Sequence, residues 1–144
     1  MSSTLIKNGK VISSTGVIAH DVLIDGETIR ALGAPGYFTE EGVDRVIDAA
    51  GKYVIPGGVD VHTHMELPFG GTFASDTFET GSNAAAWGGT TTIIDMAVQR
   101  YGENVHEGLA EWHRKADGNC AIDYAFHQII GGADEPSPKD MVYL

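Results

Sequence analysis

The sequence predicts an α/β fold, and three observations carry that prediction. From Lys52 onward, apolar and β-branched runs (VDVHTH, TTTIIDMAV, AIDYAFHQII) alternate with two stretches of helical composition. That alternation is the pattern of βαβ units and a parallel sheet. The spacing, about 30 residues per unit, suits a (β/α)8 barrel or a doubly wound sheet. The residues before Lys52 have a different texture: short apolar runs punctuated by Asn-Gly, Asp-Gly and Pro-Gly pairs. Such a strand meander buries only one face and needs more sheet to pack on.

The elements follow in order. In LIKNGKVI, Asn8-Gly9 stands between two apolar pairs and predicts a hairpin with a two-residue turn. VLIDGETIRAL repeats the signal around Asp25-Gly26. A polar loop with Pro35 and Gly36 leads to a short strand at Val46-Ile47. The boundary between the two textures divides the chain into a β-rich portion, 1–54, and a portion of β/α units, 55–144. Pro56-Gly57-Gly58 gives a tight entry to VDVHTH, the first strand of the second portion. Residues 76–87, DTFETGSNAAAW, form an alanine-rich helix with Ser75 or Asp76 as N-cap, stopped by Gly88-Gly89. TTTIIDMAV reads as a strand buried on both faces. Residues 104–117 form a second helix, ended by Gly118, and AIDYAFHQII is a third buried strand. SPKDMVYL opens a further helix. No internal repeat is visible beyond the alternation.

Composition narrows the function classes. A hydrophobic fraction of 42% is enough for a core and argues against wholesale disorder. The net charge of -11 supplies no basic stripe for phosphates, which argues against nucleic-acid binding and against an anionic membrane surface. The single cysteine, Cys120, permits no intrachain disulfide and suits a reducing compartment. The N-terminus lacks the apolar core of a secretory signal, and no apolar run approaches the roughly 18 residues of a membrane span. A cytoplasmic protein is expected. The glycine pairs lack the spacing of a phosphate-binding loop and read as turns.

The chemistry-bearing motif is His62-Thr63-His64. On a strand, residues i and i+2 point to the same face, so the two imidazoles project side by side. At the carboxyl end of a parallel strand they face the region where such folds place their chemistry. Two imidazoles so arranged can hold one metal ion. A bare His-x-His also occurs by chance, with exposed histidines that do nothing. The context favours the ion: the pair ends its strand, and a glycine-rich apolar loop suited to covering a pocket follows. Asp60 shares the face of His62 and either orients a ligating imidazole or makes a structural hydrogen bond. Asp95, ending the second strand, and His127, ending the third, lie near the same active face. Each is a candidate to support the metal ligands, or simply a satisfied polar group. Cys120 starts a strand and reads as inert packing; His20, His106 and His113 read as surface residues.

PGGVDVHTHMELPFGGT, followed by DTFETGSNAAAWGGTTTIIDMA, resembles the start of the cyclic amidohydrolases of the dihydropyrimidinase and D-hydantoinase group. The opening that ends in AAGKYVIPGG is similar too. The resemblance covers essentially the whole chain and is most specific over 56–97. It implies the start of a (β/α)8 TIM-type barrel preceded by the N-terminal part of a small β-sandwich. It also implies a metal-dependent hydrolysis, in which a metal-bound hydroxide opens a hydantoin or dihydropyrimidine ring to an N-carbamoyl amino acid. In that family the first barrel strand gives two histidine ligands to a centre of two divalent metal ions, usually zinc. His62 and His64 match those positions, and as ligands neither acts as the general base. The other family ligands are a carboxylated lysine bridging the metals, two more histidines, and an aspartate that also handles the proton. None is assigned here; Lys139, the only lysine after Lys115, lies in a loop. The implied partner is a small cyclic amide, and the implied assembly is a homotetramer.

Glu66, two residues past His64 and followed by Leu-Pro-Phe-Gly-Gly, separates the chain from dihydroorotase-like and allantoinase-like relatives, which usually carry arginine or asparagine there. Met65, Leu67 and Phe69 then lie on a loop that shapes the substrate's side-chain pocket, or pack beneath it as ordinary core. The collapsin response mediators keep this fold without the histidine pair, so retention of both histidines argues against that branch. A barrel requires about 250 residues; the 144 residues are expected to be part of a longer enzyme. The competing expectation is a truncated, non-catalytic relative that acts as an interaction module.

Overall fold

A computed structural model describes residues 2–132. The expected helix over SPKDMVYL, and Lys139 with it, lies outside the described residues. The backbone divides between Pro56 and Gly57 into two compact units.

The first unit holds β1 (Ser3–Lys7), β2 (Lys10–Ser13), β3 (Gly16–Ala19), β4 (Asp21–Asp25), β5 (Thr28–Gly33), β6 (Arg45–Asp48) and β7 (Tyr53–Val54). They form two sheets, ordered β5-β4-β1-β6 and β3-β2-β7. The Asp25-Gly26 turn makes the expected antiparallel hairpin of β4 and β5, with Asp25 opposite Thr28. The Asn8-Gly9 turn does not make a hairpin, which corrects the expectation. β1 pairs with β4 and, in parallel, with β6, while β2 pairs with β3 and, in parallel, with β7. The chain therefore crosses from one sheet to the other at Asn8-Gly9.

The two residues suit that crossing for physical reasons. Asn8 sits at φ 64, a left-handed conformation that asparagine tolerates better than most residues. A Cβ on Gly9 would run into the Val54 side chain. Asp21, buried to 1% exposure, holds the crossing by accepting the Asn8 backbone N–H (2.9 Å) and the Gly36 N–H (2.8 Å). Asn8 Nδ2 donates to Asp48 Oδ1 at 2.9 Å. The apolar faces of both sheets, among them Ile6, Val22 and Ile24 from one and Val11, Ile12 and Val54 from the other, line a shared cavity of about 360 Å³.

The second unit holds β8 (Gly58–Thr63), β9 (Pro68–Phe69), β10 (Thr72–Phe73), α1 (Phe78–Trp87), β11 (Thr90–Val98), α2 (Val105–Ala116) and β12 (Asp123–Ile129). β8, β11 and β12 form a parallel sheet ordered β12-β11-β8, as the βαβ series predicts. Gly57 permits the entry to β8, because a Cβ there would overlap the Thr91 side chain. The apolar loop after His64 is not featureless: β9 and β10 pair across Gly70-Gly71, both at positive φ.

Both helices are capped by their own sequence. α1 starts later than expected, with Thr77 as N-cap in place of Ser75 or Asp76. Thr77 and Thr80 exchange side-chain-to-backbone bonds in a capping box (3.0 and 3.1 Å). Gly88 caps its end and Gly89 turns left-handed at φ 88. α2 ends at the expected Gly118 stop, and Asn104, expected as its first residue, is instead its N-cap, with Glu107 completing the box. Phe78 of α1, Trp112 and Ala116 of α2, and Ile93 and Ala97 of β11 form one buried cluster. The helices thus cover one face of the sheet.

Within this chain the two strands expected to be buried on both faces are covered by its helices on one face. β11 alternates fully buried with half-buried residues, and β12 alternates exposed with half-buried ones. Helices cover one side only, and β12 is an edge strand of this sheet. Cys120 lies in the turn before β12 and not in the strand, packed partly against the core. Burial, and after it the charges of Asp95 and Asp117, pushes its thiol pKa up. Thiolate is the reactive form, so alkylation by iodoacetamide at pH 8 should run several-fold slower in the native chain than in the urea-unfolded one. Equal rates would contradict this placement. Among the described residues, no helix is long and apolar enough to cross a membrane.

Candidate metal centre

β8 delivers the histidine pair, though not by plain strand alternation. The strand ends at Thr63, and His64 already lies beyond it. Between Asp60 and Thr63 the register against β11 slips by one residue, opposite Ile93 and Asp95. This bulge re-aims the strand end, as bulges beside functional sites do. Both imidazoles are exposed. Their rings meet edge to face, 4.9 Å between centroids, and Nε2 of His62 stands 3.1 Å from Nε2 of His64. Two nitrogens each about 2.0–2.1 Å from one zinc ion, at a near-tetrahedral angle, stand roughly 3.3 Å apart. The observed separation fits a shared ion, and neutral imidazole is the right donor chemistry for one. Among the described residues, no group of three or more His, Cys, Asp or Glu side chains is placed to hold a metal.

The other candidates fall in different places. Asp60 accepts the backbone N–H of His62 at Oδ1 (3.2 Å), a bond that braces the bulge and does not touch an imidazole. His127 is exposed and lies two residues before the end of β12, opposite Met96 in the register. Asp95 is not at the end of its strand and not on an open face. It lies mid-strand in β11, fully buried on the helix side with Ile93 and Ala97. Its Oδ2 accepts the Thr63 hydroxyl (2.7 Å) and the Met65 backbone N–H (2.8 Å). Its Oδ1 accepts Trp112 Nε1–H at 2.8 Å.

Met65 and Leu67 pack against the core cluster, whereas Phe69 is 79% exposed on the β9–β10 hairpin. Gly81 of α1 makes room for Met65, since a Cβ there would overlap its thioether. Glu66 adopts a left-handed φ of 52. Its carbonyl lies 3.5 Å and its carboxylate 3.9 Å from Lys115 Nζ, which also sits 4.4 Å over the Trp112 ring.

Sequence reasoning missed Thr63, Trp112 and Lys115 as parts of this neighbourhood. A signal existed for Trp112, which lies on the apolar stripe of α2 with Val105 and Ala116. Another existed for Asp95, the lone carboxylate in a strand of threonines and apolar residues. Their pairing had none.

Comparison with known proteins adds a second line. The profile of the amidohydrolase family matches residues 53–127, just over half of the chain. A D-hydantoinase of Streptomyces coelicolor is 56% identical over 99% of this chain and 31% of its own length. A dihydropyrimidinase of Rattus norvegicus is 42% identical over 97% of this chain and 27% of its own. The crystal structure of dihydropyrimidinase from Brevibacillus agri superposes with a TM-score of 0.89 at 44% identity, covering 96% of this chain and 30% of that one. The chain thus spans less than a third of the relatives it matches. Those relatives resemble it along nearly its entire length, through both units and across the histidine pair, and the chain belongs to the amidohydrolase family.

Proposed function

We propose that this chain is the part of a cyclic amidohydrolase that contributes the first two metal ligands, and that the whole enzyme opens hydantoin or dihydropyrimidine rings to N-carbamoyl amino acids. The observation that carries the reading is the 3.1 Å convergence of His62 and His64 at the end of a parallel strand. The similarity to proteins named D-hydantoinase and dihydropyrimidinase supports the substrate class. On this reading β8, β11 and β12 are the first three strands of a (β/α)8 barrel, whose sequential neighbours their order matches. The two sheets of the first unit are the N-terminal part of a β-sandwich.

His62 and His64 would hold one of two divalent ions, zinc by preference for this donor type. Such ions, when bound, lower the pKa of water toward about 7 and polarise an amide carbonyl. The chain's own contribution is positional. The bulged strand end presents two imidazole nitrogens side by side, and as ligands neither histidine is free to move a proton. Asp60 braces the backbone of His62. Met65 and Leu67 anchor the β9–β10 hairpin to the core, which leaves Phe69 at the rim to contact the substituent of the ring. His127 stands on the helix-free side of the sheet, available to support the site. The enzyme is a cytoplasmic homotetramer on the same reading.

The test is turnover by the full-length protein. Hydantoin and dihydrouracil opening, followed by the fall in ultraviolet absorbance, should disappear after dialysis against a chelator and return on adding zinc, manganese or cobalt. Turnover indifferent to chelation would refute the metal reading. No turnover of either ring by metal-replete protein would leave the interaction module instead.

A further inference from the structure

We propose that Asp95 is a positioning residue for the histidine pair: it fixes the end of β8 so that the two Nε2 atoms converge. The proposal rests on the reading of His62 and His64 as metal ligands. The carboxylate is fully buried, and two of its three hydrogen bonds go to the residues on either side of His64, the Thr63 hydroxyl and the Met65 backbone N–H. The third, from Trp112 Nε1–H at 2.8 Å, holds the other oxygen and so sets the carboxylate plane against α2.

The strand end needs such a fixture. Sheet pairing to β11 is irregular over 60–63, so the ladder alone does not determine where His62 and His64 point. Beyond His64 the chain turns at once into the left-handed Glu66. A buried acceptor engaging the residues before and after His64 removes the freedom that the bulge leaves. Its bonds are short and shielded from water, and such bonds are costly to break because each buried donor then lacks a partner. Lys115 gives α2 a second hold on the same turn through Glu66. A carboxylate serving only the core would have no reason to bracket the histidine.

Two variants of the full-length protein test this. Asp95→Asn places an amide among three donors, so at least one bond is lost. Thr63→Val removes one bond, keeps the shape, and leaves Asp95 bonded to Met65 and Trp112. Zinc affinity is read by competition with a chromophoric chelator, and the imidazole signals of His62 and His64 by NMR on the metal-free protein. Supporting partners of metal ligands are typically worth about 10- to 100-fold in affinity. Asp95→Asn should therefore lose affinity in that range, and Thr63→Val about tenfold in a metal-free protein that still folds, with its melting temperature lowered only by the loss of one buried bond. The His64 signals should shift while those of His20 stay in place. Parent-like affinity and parent-like His64 signals in folded Thr63→Val would overturn the proposal, and Thr63→Val decides even where Asp95→Asn does not fold. His64→Ala is measured alongside. Undiminished affinity there would sink the ligand reading itself, a failure distinct from that of Asp95.

Discussion

Alanine at His62 or at His64 is expected to strip the full-length protein of its metal and, with it, of ring-opening activity. The size of the effect follows from the role. Losing a partner that merely supports a ligand costs about 10- to 100-fold in affinity; losing a ligand should cost more than about 100-fold. Metal per protomer after dialysis, read by atomic emission, should fall well below that of the parent. The rate of hydantoin opening should fall in parallel at saturating substrate. Compared as metal-free proteins, parent and variants should hardly differ in stability, since a bound metal would itself stabilise the parent. Neither histidine belongs to the buried core cluster, and substitutions that touch no core, cap or buried network usually stay within about 0.5 kcal/mol. That contrast makes the result interpretable: lost metal with an unchanged metal-free melting temperature means a lost ligand and not a lost fold. Metal-replete and fully active variants at both positions would refute the assignment.

The histidine pair was legible because its signal is local: two residues of one type at strand spacing, closing an apolar run before a glycine-rich loop. The helices were legible for the same reason, since their caps and stops are written within a few residues of each end. The first residues went astray: Ser75 or Asp76 was expected to cap α1, where the neighbouring Thr77 caps it because its partner Thr80 decides, and α2 starts one residue after Asn104. Asn8-Gly9 shows where local reading fails. The pair does report a left-handed residue and a close backbone approach, but not whether the next strand returns to the same sheet. That is settled by the parallel partners of β1 and β2, which are β6 and β7, more than thirty residues away and without any local trace at the turn. Asp95 fails for a related reason. Ile93, Ile94, Met96 and Ala97 around it are all apolar, so the pattern has no polar face to tell which side the carboxylate takes. Only the positions of α1 and α2 decide that. The bulge in β8, a mismatch between two strands, is likewise invisible in either strand alone.

Phe78→Ala tests the core that holds this site in place, and a loss of about 3–5 kcal/mol of stability is expected, the range for truncating a fully buried phenylalanine. Phe78 is fully buried at the first turn of α1 and packs edge to face on Phe126 of β12, 6.2 Å between centroids at 90°. It also joins Ile93, Ala97, Trp112 and Ala116 in the cluster that lies between the helices and the sheet. Truncation would remove the aromatic pair and leave a cavity between the helices and the sheet. Against a typical total of about 5–15 kcal/mol, that is enough to bring the fold near its limit. Phe78→Leu keeps most of the volume and should cost less than about 1.5 kcal/mol. Urea unfolding checks both: the midpoint should fall far for alanine and little for leucine, with an unchanged slope, since the surface exposed on unfolding is nearly the same. An alanine midpoint close to the parent's would mean that Phe78 is not in the core. It would also remove the packing that places α1 against β11, whose Asp95 braces the histidine strand. The prediction therefore bears on the site as much as on the fold, because the strand end can be held only as firmly as the layer beneath it.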